Sequence, residues 1–389
     1  MYELYCKYVD LILEGRQKGI NDKDGEEQSA IDKVGAYRIV FQMAYDCVPE
    51  ELYDQNLLDQ AKATMSEMQF KREFGAQFTD ESDGYFRLSK MEACTIPDGE
   101  YPCCEIYGNV DDEYIVAFDP SWSGNSSSDN FAIQIFKIMD KDTGKFALIH
   151  SYAIAGQPLV NHIKYMQYVL THFNVVGMVG DYNGGVQFVD ACNESEIFKK
   201  NDLNIGVIDL DLAKTENYKE ELLELKQVYD KRKRKFCLLR KPTGDWIRQA
   251  NELLQASIDH HKVYFGAKSV DAHFNSQIKK SIPIQNLKWE NKPLKQAAEA
   301  AKIDFLDYQK SNIERTKVEA ANIEVKSSPT GSQTFDLPNN MKKQTGVNRA
   351  RKDSYSALVL GNWYMKVHLD MLSVKADAKV VGTFAPFVV

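Results

Sequence analysis

Two apolar runs in this 389-residue chain end in an aspartate, Tyr114-Ile-Val-Ala-Phe-Asp119 and Val175-Val-Gly-Met-Val-Gly-Asp181, and a third aspartate, Asp353, opens a late amphipathic stretch. A short apolar run bounded by turn residues reads as a buried strand, and carboxylates at the carboxyl ends of neighbouring strands face the same sheet edge. Hard oxygen donors of this kind suit magnesium or manganese. The chemistry they support is phosphodiester hydrolysis, with two ions stabilising the attacking and leaving oxygens and one carboxylate shared between them. Asp119 is the expected shared ligand, with Asp181 and Asp353 completing the catalytic set.

Each residue also has a plainer role. An aspartate that ends a strand often just forms a turn, and Asp119 precedes Pro120 as Asp181 precedes Tyr182-Asn-Gly-Gly185. Asp353 in the first turn of a helix gains from the helix dipole, which favours the ionised form a ligand needs, yet alone it serves as a helix cap. Asp129 heads the second strand and is an auxiliary metal ligand or an edge residue. Arg351 and Lys352 hold a phosphate beside Asp353 or stay solvated. The densest basic run, Lys231-Arg232-Lys233-Arg234-Lys235, precedes Phe236-Cys-Leu-Leu239 and reads as a loop or hairpin tracking DNA phosphates, where fixed positive charge gains from counterion release, or as a solvated helix end.

The elements that must position these residues follow from periodicity. Residues 1–75 read as helices at Tyr2 to Leu13, Ala36 to Cys47 and Asn56 to Phe74. In the loop around Asp22-Lys-Asp-Gly25, isoleucines (Ile20, Ile31) stand where a calcium loop needs its first and twelfth ligands. From Tyr114 the pattern alternates: strands at 114–119, 131–138 and 146–154, with Asp140-Lys-Asp-Thr-Gly144 as a hairpin turn, then a helix from Pro158 to Phe173, the strand 175–180, a helix from Gly184 to Asn193, a strand at Ile205 to Leu210 and a helix from Glu216 to Tyr229. Helices at Asp245 to Ile258, 293–318 and from Asp353, a short strand near Val263 and a hairpin around Ser327 to Gly331 complete the chain. The order predicts an α/β, ribonuclease H-like nuclease fold: a mixed central sheet flanked by helices, preceded by a small helical region. In that order the first and fourth strands are neighbours, and so are Asp119 and Asp181.

Composition is that of an ordinary globular protein, and no apolar run approaches the roughly 20 residues that span a bilayer. The seven cysteines are odd in number and scattered, with no Cys-x-x-Cys, which argues against disulfides and zinc and for a reducing cytoplasm. Net charge is −8, divided as −21 over residues 1–230 and +13 over 231–389, so a DNA-facing surface is expected in the later part.

With these residues in view, the chain resembles the C-terminal nuclease part of the large terminase subunit of tailed bacteriophages. The resemblance covers most of the chain and is carried by Phe70-Lys-Arg-Glu-Phe74, Ala117-Phe-Asp-Pro120 with Asp129, Gly180-Asp-Tyr-Asn-Gly-Gly185, Asp245-Trp-Ile-Arg-Gln-Ala-Asn-Glu-Leu-Leu254, Phe335-Asp-Leu-Pro338 and Arg351-Lys-Asp-Ser-Tyr-Ser-Ala-Leu358. It implies a two-metal endonuclease with the acidic triad Asp119, Asp181 and Asp353, using Mg2+ or Mn2+ to cut concatemeric double-stranded DNA during packaging in the host cytoplasm. The implied partners are the portal and the small terminase subunit, with no membrane and an oligomer only in the packaging complex. Residues 1–105 would be the end of the ATPase domain and its linker, and 106–389 the nuclease domain. Some family members have a second aspartate where this chain has Lys352, so the second ion is expected to be weakly held. The sequence has no Gly-x-x-x-x-Gly-Lys-Ser/Thr loop; Thr143-Gly-Lys-Phe146 lacks the first glycine and the hydroxyl. No ATPase activity is expected, and the chain reads as a truncated, split or engineered fragment of the subunit. The competing readings are a resolvase or transposase core and a non-cutting module that docks on DNA or the portal.

Overall fold

A seven-stranded mixed sheet carries the structure, a computed structural model, and its order places β4 (Val175–Asp181) against β1 (Tyr114–Asp119). The structure describes residues 43–374 apart from 50–53, 66–69, 72, 77–83, 122–124, 126, 209, 211, 213–216, 231–234, 268–304, 328–332 and 346–348. The expected helix Tyr2 to Leu13 and the loop at Asp22 lie outside the described residues.

The chain divides into two compact units at Asp80 and Glu81. In the first, Asp54 caps helix α1 (Gln55–Thr64) by accepting from the amides of Asn56 and Leu57. The single helix expected from Asn56 to Phe74 is interrupted, because Met65 is extended at φ −89° and ψ 156°. The described end of the expected helix Ala36 to Cys47 is a short 3-10 turn, Tyr45–Cys47. Phe70 stacks on Phe74 and meets Tyr45 edge-on.

The second unit begins at Glu81 and includes helix α2 (Leu88–Ala93). Strands β1, β2 (Phe131–Asp140) and β3 (Lys145–Ile154) form the expected antiparallel meander, turned by the Asp140 side chain accepting from the amides of Asp142 and Thr143, with Gly144 at φ +69°. After helix α3 (Leu159–His172), β4 returns parallel to β1. Helices α4 (Tyr182–Glu194) and α5 (Glu196–Lys200), strand β5 (Ile205–Ile208) and helix α6 (Tyr218–Asp230) follow.

The segment after the basic run is strand β6 (Lys235–Arg240), parallel to both β4 and β5, and not a loop or hairpin. The reason is visible in Phe236-Cys-Leu-Leu239: a continuous apolar run satisfies a strand buried on both faces, which a solvated loop does not need. Helix α7 (Gly244–Asp259) leads to β7 (Val263–Phe265), which pairs in parallel with the first half of β3 only. Helix α8 (Phe305–Ala321), the hairpin β8 (Glu324–Ser327) and β9 (Gln333–Asp336), helix α9 (Asn339–Lys342) and helix α10 (Asp353–Ser373) complete the unit. The strand order, β5-β6-β4-β1-β2-β3-β7, is ribonuclease H-like.

Two apolar layers cover the sheet. One holds Ile115, Ala117, Val179 and Leu238 against α6, α7, α8 and α10; the other holds Val116, Phe118, Met178 and Cys237 against α3, α4 and α5. Helix α10 is not the amphipathic helix expected but apolar nearly all round, as a largely buried helix must be, and it lies across β1, β2 and β4. It comes so close that a Cβ on Gly361 would stand 2.1 Å from the Phe136 ring, and one on Gly177 would stand 2.6 Å from Tyr364. No helix among the described residues is long and apolar enough to cross a membrane.

Gly361→Val therefore forces α10 off the sheet. Overpacking a tight core costs roughly 1–3 kcal/mol, and with Phe136 fully buried we expect a loss of about 2–3 kcal/mol in urea unfolding, whereas an unchanged midpoint would mean the helix is not seated on β2.

Candidate metal centre

Strand parity decides which side chains meet. Side chains alternate across a strand, so Asp119 lies on the face of Ala117, Asp181 on the face of Val179 and Arg240 on the face of Leu238. That is the face covered by α10. Phe118 pairs with Gly180, and Asp181 with Arg240, so Asp119, Asp181 and Arg240 stand level at the carboxyl edge of three adjacent strands. Asp353 reaches the same edge from the first turn of α10, and Asp119 experiences both Asp353 and Asp181 as nearby like charges.

Each carboxylate is held by a local donor. Asp181 caps the helix it precedes, accepting from the Asn183 amide at 2.7 Å; the chain then kinks, with Gly184 at φ +83°. That conformation suits glycine, and it lets a strand-end aspartate start a helix while facing the edge. Asp353 accepts the Asn130 amide at 2.7 Å, and Asp119 accepts the Ser356 hydroxyl. The segment Ser128-Asp129-Asn130 is thus laced to the approach to α10: Arg351 Nε donates to the Ser128 carbonyl at 3.0 Å, Arg349 pairs with Asp129, and Asn130 donates to Asp353.

Burial and like charge work against ionisation. Asp119 is pushed well above the ordinary carboxylate range by burial, then by Asp353 and Asp181, against the smaller opposing effects of Ser356 and Lys352. Asp353, which is 8% exposed, is raised to about 6 chiefly by burial. Asp181 is raised by burial, partly countered by the Asn183 amide. The donor set suits a hard divalent cation: three carboxylates, each steadied by one hydrogen-bond donor, whose mutual repulsion a bound cation relieves. Among the described residues no three His, Cys, Asp or Glu side chains converge as a ready-made metal cage.

The other residues singled out in the sequence fall in different places. Asp129 is exposed and engaged by Arg349. Lys352 precedes α10, near enough to Asp119 to favour its charged form, and is paired with Asp336 at 3.1 Å. Arg351 is half-buried beside Asp353. Lys235 opens β6 and donates to the Val175 carbonyl at 2.7 Å, at the amino edge of the parallel strands, a strand length from the carboxylates. Lys231, Arg232, Lys233 and Arg234 lie outside the described residues.

Two residues of this region were not read from the sequence. Arg240 is 5% exposed and lies over the rings of Trp246 and Trp363, 5.5 Å from each centroid, where its cation gains from both π systems while the two rings meet edge-on. Its signal was present, since Phe236-Cys-Leu-Leu-Arg240 is a third apolar run that ends in a charge. Glu319, 5% exposed on α8, accepts from the amides of Ser354 and Tyr355 at 2.8 and 3.2 Å. No sequence spacing links it to Asp353.

No protein-family model and no curated protein matches the sequence. Solved structures do. The chain is similar to large terminase nucleases of several phages. The magnesium-bound large terminase nuclease of thermophilic phage G20c aligns over 72% of this chain and 97% of its own, at 12% identity and a TM-score of 0.35. The large terminase nuclease domain of Thermus phage P74-26 aligns over 70% and 92%, at 10% identity and a TM-score of 0.36. The nuclease domain of the large terminase subunit gp2 of bacterial virus Sf6 aligns over 72% and 98%, at 9% identity and a TM-score of 0.34.

The raised carboxylates set a pH dependence. An acid whose pKa rises on folding binds protons that the unfolded chain has released, so its contribution to stability falls as pH climbs from about 4 towards the folded value. For Asp353 that window ends near 6, and burial and the neighbouring carboxylates shift Asp119 in the same direction. A divalent cation offsets the repulsion only where the carboxylates are ionised. The rise in melting temperature caused by Mn2+ is expected to be several degrees larger at pH 8 than at pH 5.5; equal shifts would show that the ion sits elsewhere.

Proposed function

We propose that the chain is a divalent-metal-dependent DNA endonuclease of a viral packaging machine, the nuclease part of a large terminase subunit. The observation that carries this reading is the arrangement of Asp119, Asp181 and Asp353: three carboxylates from two adjacent strands and a helix, on one face at one edge of a ribonuclease H-like sheet. The residue patterns around these three aspartates, which resemble those of large terminases, support the same reading.

Asp119, central among the three, would be the ligand shared between two ions, with Asp181 and Asp353 on either side. When bound, Mg2+ or Mn2+ supplies an activated water and neutralises charge on the phosphate. The protein's own groups do the rest. The Ser356 hydroxyl and the amides of Asn130 and Asn183 keep one oxygen of each carboxylate in place, which leaves the others to face the edge. Arg351 and Lys352, beside Asp353, would take the phosphates that flank the scissile bond. Their present partners, the Ser128 carbonyl and Asp336, hold them close to the edge. Because Lys235 stands at the other end of β6, the run Lys231–Lys235 would hold duplex DNA away from the point of cutting.

The substrate would be concatemeric double-stranded DNA, cut as a genome is packaged in the host cytoplasm, where the six described cysteines, all free thiols, fit a reducing environment. The portal and the small terminase subunit would be the partners, with the ATPase supplied by another polypeptide segment.

Supercoiled plasmid with Mn2+ or Mg2+ tests this. Relaxation and linearisation are expected, stopped by EDTA and reduced more than about 100-fold by Asp181→Ala, whereas Asp129→Ala should retain most activity. Cutting that survives Asp181→Ala would refute the assignment. Preference for four-way junctions would favour a resolvase, and failure to cut with any metal would favour a docking module.

A further inference from the structure

Helix α10 begins at Asp353 without a cap of its own. Lys352 stands at the cap position, carries no acceptor, and makes no side-chain capping bond. The first-turn amides of a helix need acceptors, and an aspartate at the helix start is well placed to supply one. Asp353 does not, because its carboxylate accepts from Asn130 instead. The acceptor comes from α8, where Glu319 Oε2 takes the amides of Ser354 and Tyr355.

The rest of α8 explains how Glu319 is held there. Beyond the short pairing with β7, the outer edge of β3 is completed by α8 side chains at i, i+3 and i+6: Gln309 Oε1 accepts the Ser151 amide at 3.2 Å, Asn312 Nδ2 donates to the Ser151 carbonyl at 3.1 Å, and Arg315 Nη2 donates to the Ala153 carbonyl at 2.8 Å. One residue further on, Thr316 Oγ1 accepts from Gln134 Nε2 on β2, which also donates to the Ser354 carbonyl at 2.9 Å. Ser354 is therefore gripped at both its backbone groups, one from the sheet and one from α8. Burying a second carboxylate close to Asp353 is costly unless it does something that an apolar residue cannot.

We propose that Glu319 is a positioning residue for the metal centre: it takes over the capping of α10, so that the Asp353 carboxylate faces the sheet edge and remains available to a divalent cation. This rests on the metal-site reading above. Without Glu319, Asp353 is the nearest carboxylate able to satisfy the first-turn amides, and turning back to them withdraws it from Asp119.

Mn2+ binding to the full chain by isothermal titration calorimetry, alongside the Mn2+ dependence of plasmid cutting, tests the proposal. Glu319→Ala should raise the half-saturating Mn2+ concentration about 10–100-fold, with cutting largely recovered at saturating Mn2+. Glu319→Gln, whose amide oxygen still accepts both amides, should remain within about threefold of the parent. Glu319→Asp keeps the charge but shortens the reach, and should shift in the direction of alanine; it also decides the matter if Glu319→Ala does not fold. Unchanged Mn2+ affinity in both Glu319→Ala and Glu319→Asp, or glutamine behaving like alanine while aspartate behaves like the parent, would overturn the role assigned to Glu319. If the parent protein itself binds no Mn2+, the metal-site reading fails instead.

Discussion

Mutual repulsion among carboxylates at one sheet edge is the constraint around which the rest of this structure is arranged. Left to themselves, Asp119, Asp181 and Asp353 would separate or take up protons: burial raises the pKa of all three, and at Asp119 the like charges of Asp353 and Asp181 add to it. What prevents separation is backbone geometry. Parallel pairing of β1 with β4 fixes two of the charges one strand apart, and the seating of α10 on β1, β2 and β4 brings the third.

The surrounding elements resist relaxation in different ways. Close approach at Gly361 and Gly177 leaves α10 little room to slide along the sheet. Hydrogen bonds from 128–130 on one side and from α8 on the other fix its first turn. Helix α8 does so with a polar face, because its contact surface is the unpaired edge of a strand as well as an apolar layer. An electrostatically unfavourable cluster is thus maintained by packing, by one hydrogen bond to each carboxylate and by others that hold the elements around them, a pattern common where strain serves function.

Much of this was legible in residue order. The meander β1–β2–β3, its Asp140 turn, the return through α3 to β4 and the two strand-end aspartates follow from periodicity and turn chemistry, which are local. What was missed depends on long-range contact. The strand at Lys235–Arg240 was hidden because an adjacent basic run drew attention to charge, although its apolar half is as continuous as that of β4. The engagement of Asp129 by Arg349 joins residues 220 apart. Glu319, on a mostly polar helix, had no periodic signal, since it serves hydrogen bonds to another helix's backbone and not an apolar face. Met65 breaks a helix in whose pattern no Gly or Pro announces an end.

The most direct measurement of the central claim is the anomalous scattering of crystals soaked in Mn2+. The account predicts manganese density at the carboxyl edge of β1 and β4, ligated by Asp119 and Asp181 with Asp353 within reach, and lost in Asp181→Ala. Manganese bound elsewhere, or bound at this edge without Asp119, would contradict it.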